Sequence, residues 1–309
     1  MAHDHHHHDH GHHGHAATPS HAPALGRAGA INLAWALAQA VAGASLGSAA
    51  LLSDSVHNLG DAAGLVMAWG AATLALRSAT SRRTWGWHRG EQLAGFANAL
   101  LVVVGALIVG AGASWRLLHP APLDGLAVSA WALGGIAVNA LSAWWLSGHG
   151  GDLNTRGAFL HLVSDAAISA TVVAGGLAVH FTGWSLLDPL LALVVSAWLV
   201  KSTLPFLRET FDALLDAVPA GRDLPAIEAE LAAVPGVGAV HDLHLWSLGG
   251  GRAALSAHLV HHDGQDPTTI LEQALDRLHH HHPGLHATLQ VEPPGVETWH
   301  GHEVCRGRE

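Results

Sequence analysis

This chain of 309 residues predicts an α-helical membrane protein with a small soluble α+β domain at its C-terminal end. Three observations carry that expectation. Charge is scarce and uneven: 12% of the residues are Asp, Glu, Lys or Arg, where an ordinary soluble protein has about 25%. Of these charges, 17 precede Pro205 and 21 follow it. Apolar runs approaching or exceeding the roughly 20 residues that cross a bilayer recur before Pro205. After Pro205 the runs give way to short amphipathic and alternating segments.

The elements follow in order. Met1 to Pro23, with ten histidines among its first 21 residues, has almost nothing to bury and predicts a disordered, metal-loving tail. Six spans are expected: Ala28–Leu46, Ala49–Leu76, Leu93–Leu118, Leu126–Leu146, Leu153–Val179 and Leu186–Leu204. Gly47-Ser48 makes the first hairpin tight. With six spans, Arg27, Arg77, Arg82, Arg83, Arg89, Arg156, Lys201 and Arg208 share one side and only Arg116 takes the other. That asymmetry predicts both termini in the cytoplasm. Beyond Pro205, Asp223–Val234 reads as an amphipathic helix, and Val240–Ser247 and Ala253–His261 as a hairpin turned at Gly249-Gly250-Gly251. Thr268–His281 reads as a second helix between Pro267 and Pro283-Gly284, and Leu285–Glu292 as a third strand. The expected domains are a His-rich tail (1–24), a six-helix membrane domain (25–204), an α+β domain (205–295) and a flexible tail (296–309).

Composition excludes several function classes. The single cysteine, Cys305, leaves neither a disulfide framework nor a cysteine zinc finger. A formal charge of −10 argues against a nucleic-acid partner, which needs a basic surface. The N-terminus lacks the basic and apolar regions of a cleavable signal. No H-E-x-x-H set lies in any span, so an intramembrane metalloprotease is not expected.

Ionisable residues at membrane depth are costly, and each is a functional hypothesis. The second span carries His57 and Asp61, the fifth His161 and Asp165, both as H-x-x-x-D-A-A. Residues i and i+4 share a helix face, so each helix offers one imidazole and one carboxylate to a common point. Two such helices supply the two nitrogen and two oxygen ligands of a tetrahedral zinc site. Histidine titrates near neutral pH, so protons and metal compete for these groups, and a proton gradient has a means of driving release. Asp54, three residues before His57, has two open readings: a cation-attracting group at the pathway mouth, or a cap on the second helix. Asn32, Gln39, Asn98 and Asn139 read as interhelical hydrogen-bonding amides.

The stretches ALLSDSVHNLGDAAGL, TWGWHRGEQLAGFANAL, LNTRGAFLHLVSDAAISA, TGWSLLDPLLAL, VHDLHLWSL and HATLQVEP together resemble the cation diffusion facilitator family, in its bacterial zinc-exporting branch. The resemblance spans about Leu25 to Pro293. It implies six transmembrane helices, a ferredoxin-like, metallochaperone-like cytoplasmic domain, a homodimer, and metal/proton antiport out of the cytoplasm across the inner (plasma) membrane. It places the transport site on His57, Asp61, His161 and Asp165, with zinc as cargo and cadmium or cobalt as further substrates. It also implies a regulatory zinc site in the cytoplasmic domain at His241, His258 and Glu292, with His286 as a further candidate. Gln290 stands where some members have a histidine. The alternative is a membrane metal sensor or buffer that does not transport; in neither case is the protein expected to be an enzyme.

Overall fold

The computed structural model describes residues 22–147 and 153–295, though not every side chain within the helices. Of the His-rich tail expected from Met1 to Pro23, residues 1–21 lie outside the described residues, as does the tail at 296–309, whereas Ala22 and Pro23 already belong to the first helix. Six long helices come first: α1 (Ala22–Leu46), α2 (Ala49–Ala75), α3 (Gly90–Leu118), α4 (Gly125–Ser147), α5 (Leu153–Thr182) and α6 (Leu187–Leu214). Among the described residues four helical segments are long and apolar enough to cross a membrane: Gly29–Leu46, Gly90–Leu118, Gly125–Ser142 and Leu187–Leu214. The helices outside that set, α2 and α5, are those that carry the H-x-x-x-D frames. Many large apolar side chains face outward, among them Leu107, Ile108, Trp144 and Val194. An apolar exterior is what a lipid-solvated bundle presents, because lipid replaces water as the solvent for that surface.

α1 packs chiefly on α2, α3 on α6 and α4 on α5. Small residues allow close approach. A Cβ at Gly60 of α2 would overlap Val102 of α3, and one at Gly105 of α3 would lie 2.9 Å from Val56 of α2. α3 therefore docks on α2 beside Asp61, where a larger side chain would push the helices apart. α6 continues past Pro205 to Leu214, so helix outlasts the apolar run.

The end of the bundle at the α1–α2 turn is fixed by a cap that comes from far along the same chain. Ser48 N-caps α2 by accepting from Leu51 N, and its hydroxyl donates to Asp188 at the start of α6. Asp188 also accepts from the backbone of Ala49 at 2.6 Å. Its carboxylate thus closes the α2 N-terminus from a segment some 140 residues later, where a negative charge also complements the helix dipole. Gly47 turns the chain with φ +70°, and a Cβ there would stand 2.7 Å from the Arg116 guanidinium. Arg116, the one cation expected on this side, is thereby packed against the hairpin.

The C-terminal domain comprises α7 (Leu224–Ala232), β1 (Val237–Gly249), β2 (Arg252–His261), α8 (Pro267–His281) and β3 (Leu285–Glu292). The sheet order is β1-β2-β3, with β1/β2 antiparallel and β2/β3 parallel. A parallel neighbour needs a crossover, which α8 supplies. Asp223 and Asp266 cap α7 and α8, each followed within two residues by a proline in the first turn. Ile227 and Leu231 of α7 and Ile270, Ala274 and Leu278 of α8 close over Leu245, Leu255 and Leu259. This is the helix-over-sheet layer expected from the α-β-β-α-β order.

The domain meets the bundle at several points. Gln92 of α3 donates to Ser247 of β1 at 2.5 Å, Gly249 lies against the His88 backbone, and Arg89 pairs with Asp216 just after α6. Asp188→Ala would leave buried N–H groups at the α2 N-terminus without an acceptor, costing about 1–3 kcal/mol. Thermal unfolding in detergent should show a lower midpoint for this variant; a midpoint equal to the parent's contradicts the cap.

Candidate metal centres

α2 and α5 bring three sequence-predicted residues to one point. His57 Nε2 stands 3.0 Å from Asp165 Oδ1 and 3.6 Å from Asp61 Oδ2. One ligand atom from each of the three residues lies within 4.8 Å of the others. His57 and Asp165 are buried, and Asp61 is partly accessible. Ligand atoms about 2.0–2.1 Å from a tetrahedral zinc are roughly 3.3 Å apart, and the two distances bracket that value. The edge of the His57 ring meets Trp198 of α6, centroids 6.0 Å apart, which adds an apolar wall. His161 falls on α5, four residues before Asp165; its side chain lies outside the described residues.

Asp54 is neither at a mouth nor at a cap. It is fully buried and accepts from Gln39 Nε2 of α1 at 2.5 Å and from Ser169 Oγ of α5 at 3.0 Å. Asn32 donates to Ser142 across α1 and α4 at 2.8 Å, as expected of an intramembrane amide.

In the C-terminal domain the sheet register assembles a second cluster. His241 of β1 pairs directly with His258 of β2, and their rings lie 5.1 Å apart. Glu292 of β3, almost fully buried, reaches both: Oε2 is 3.2 Å from His241 Nε2, and Oε1 is 2.8 Å from His258 Nδ1. Gln290, opposite His258, donates to Glu292 Oε1 at 2.7 Å and so holds the carboxylate in place. His286 is not brought to this cluster. It pairs with Ala254, six residues before Glu292 along β3 and so about 20 Å away. Its ring instead meets Trp85, centroids 5.1 Å apart.

Sequence reasoning missed Asp242. Strand alternation turns it away from His241, but a register shift between His241 and His244, with Asp242 at φ 49°, re-aims it. Asp242 Oδ2 then lies 3.7 Å from His258 Nε2, and Oδ1 3.1 Å from His244 Nε2. Asp, more tolerant of positive φ than most residues, between two histidines was the available signal.

The histidine run at the C-terminal end of α8 makes a different arrangement. His281 and His282 bond the two oxygens of Glu230 at 2.7 and 2.9 Å. His282 Nδ1 also faces the Arg222 guanidinium at 3.4 Å, so this ring accepts from Arg222 and donates to Glu230. The group ties α7 to α8. Burial pushes the Glu230 carboxyl up, but the bonds from His282 and then His281 outweigh it and hold Glu230 below its ordinary value.

A helical membrane-type bundle joined to a small α+β domain, each with a His and carboxylate cluster that could hold a metal ion, fits a membrane protein that handles metal cations. The chain belongs to the cation efflux family: residues 27–215 match the cation efflux transmembrane domain, and residues 219–294 the cation efflux protein cytoplasmic domain. Members of this family are transporters, not enzymes. The chain is 34% identical over 258 residues to the metal cation efflux system protein CzcD of Cupriavidus metallidurans, covering 83% of this chain and 82% of the relative. It is 32% identical over 302 residues to the zinc transporter ZitB of Escherichia coli, covering 94% and 93%. It is also 32% identical over 261 residues to a cadmium, cobalt and zinc/H(+)-K(+) antiporter of Bacillus subtilis, covering 82% and 83%.

Because the folded Glu230 value is depressed, its stabilisation is complete above the ordinary carboxylate range and is lost as pH falls through the folded value. Protection factors against hydrogen exchange in α7 and α8, taken relative to the intrinsic exchange rate at each pH, should therefore fall on acidification below about pH 4. Glu230→Gln should exchange faster than the parent at neutral pH and respond less to acid. An unchanged acid response in the variant contradicts the assignment.

Proposed function

We propose that the chain exports zinc from the cytoplasm in exchange for protons, with cadmium and cobalt as further substrates, through a site formed by His57, Asp61, His161 and Asp165. The observation that carries this reading is the convergence of His57, Asp61 and Asp165 within a largely apolar bundle. α5 repeats the i,i+4 frame of α2, which makes His161 the fourth ligand by position. The names of the relatives support the cargo: a zinc transporter, and an antiporter of cadmium, cobalt and zinc against H(+) and K(+).

The chemistry follows from the ligand types. Zinc needs neutral imidazole and ionised carboxylate, so each proton gained by the set weakens the grip on the metal. Opening the site to a more acidic side delivers protons to those lone pairs and releases the ion. α1 to α6 form six membrane spans in this reading, with both termini and the C-terminal domain in the cytoplasm, in a bacterial inner (plasma) membrane. The domain division is 1–24, 25–204, 205–295 and 296–309. The C-terminal domain pairs two copies of the chain and reports cytoplasmic zinc through His241, His258 and Glu292. The match to the dimerisation domain of the family supports the pairing.

Zinc flux and internal pH, recorded together in proteoliposomes holding a proton gradient, test the proposal. The parent should move zinc and protons in opposite directions. His57→Ala, Asp61→Ala and Asp165→Ala should each lose more than the roughly 10–100-fold that follows loss of an outer-shell partner. Parental flux in any of them contradicts the site, and zinc flux without proton movement contradicts the coupling.

A further inference from the structure

The proposed site uses one turn of the α2–α5 contact, and the next turn carries a second polar link. On α2, Asp54 precedes His57 by three residues, and on α5, Ser169 follows Asp165 by four. The helices are thus bridged twice in succession: His57 to Asp165 at 3.0 Å, then Asp54 to Ser169, whose hydroxyl lies 3.0 and 3.2 Å from the two carboxylate oxygens. The second bridge extends to α1. Gln39 donates its amide nitrogen to Asp54 Oδ2 at 2.5 Å, and its amide oxygen accepts from Asn58 of α2 at 3.0 Å. Gln39, Asp54 and Ser169 are all fully buried. α4 seals the group from behind, where a Cβ on Gly135 would lie 3.7 Å from both Gln39 Nε2 and Ser169 Oγ.

A carboxylate is an expensive way to make an interhelical hydrogen bond. Both donors to Asp54 are uncharged, and a buried carboxylate without a compensating charge is strongly disfavoured. Ser or Asn would tie the helices together at lower cost. What the carboxylate adds is simultaneous acceptance: two oxygens, no donor of its own, and strong bonds from two different helices. That demand fixes α1 and α5 against α2 in one arrangement. Because the link sits one turn from His57 and one turn from Asp165, it also fixes the distance between them. A tetrahedral ion tolerates only tenths of an ångström in that distance.

We infer that Asp54, with Gln39 and Ser169, is a positioning residue that sets the spacing of the His57–Asp165 ligand pair, and with it the affinity of the site and its preference among divalent cations by size. This rests on the transport-site reading given above. Asp54 does not touch the cargo in this account. It acts through the relative placement of α2 and α5, and α1 joins the site without contributing a ligand.

The test is zinc and cadmium flux in proteoliposomes holding the full chain, with half-saturating concentration and maximal rate measured separately. The variants are Ser169→Ala, Asp54→Asn and the double variant Asp54→Asn/Gln39→Glu, with His57→Ala as reference. Ser169→Ala removes one bond without a new polar group. Asp54→Asn points an amide donor at Gln39. The double variant restores a donor–acceptor match, with the carboxylate moved to α1. Ser169→Ala and Asp54→Asn should each raise the half-saturating zinc concentration about tenfold, the loss expected for a hydrogen bond to a charged group, and shift the zinc-to-cadmium ratio. The double variant should return both readouts to within about threefold of the parent. If His57→Ala abolishes flux while Ser169→Ala and Asp54→Asn keep parental affinity and metal ratio, the inference is wrong and the transport site stands. Should Ser169→Ala be silent while Asp54→Asn is inactive and not rescued by the double variant, Asp54 acts by its charge at the ion path, which also overturns positioning. Parental flux in His57→Ala removes the transport site and this inference with it.

Discussion

The energetic constraint behind this structure is the burial of ionisable side chains in an apolar bundle. Asp165 and His57 sit almost fully enclosed where water cannot reach them freely. Charges so placed must be answered by partners, ions or protons. Each turn of α2 supplies a different answer. Its N-terminus is closed by Asp188, its next turn by the Gln39–Asp54–Ser169 hub, and the turn after that by His57 with Asp61 and Asp165. Only the last of these converges nitrogen and oxygen ligand atoms at zinc-like spacing. The other two are satisfied by hydrogen bonds and fix the frame around it.

The two ligand clusters share chemistry but differ in setting. Both join imidazole to carboxylate, yet one lies among apolar helices and the other on the surface of a three-stranded sheet. β1 connects them mechanically. His241 lies near its start, and Ser247 and Gly249 at its end touch the beginning of α3 and the loop before it. α3 packs directly on α2 beside Asp61 through Gly60. A contiguous line of packed elements therefore runs from one cluster to the other.

Much of this was legible in the sequence, and the exceptions share a cause. The H-x-x-x-D frames could be read because i,i+4 geometry is local to a helix: His57 and Asp61 must share a face wherever α2 goes. The α-β-β-α-β order of the C-terminal domain was legible for the same reason. Asp54 was not, because its partners Gln39 and Ser169 come from two other helices and only their docking assigns them. Asp188 as the cap of α2 was hidden by the same long separation. The small sheet shows the limit within one domain. His286 and Glu292 stand on the same strand, but the parallel register carries Glu292 to His258 and leaves His286 beside Ala254. Asp242 joined the cluster through a bulge that strand alternation does not announce.

In the proposed transport cycle, zinc is held within the bundle by imidazole and carboxylate from α2 and α5. X-ray absorption at the zinc edge distinguishes this site from the others, on the chain carrying His241→Ala and His258→Ala, with the ten histidines of the N-terminal tail replaced by asparagine, and loaded with one equivalent of zinc. The expected spectrum shows about four nitrogen and oxygen neighbours at roughly 2.0–2.1 Å with scattering from imidazole, lost when Asp165→Ala is added. A six-coordinate oxygen shell without imidazole scattering, or a spectrum indifferent to Asp165→Ala, contradicts it.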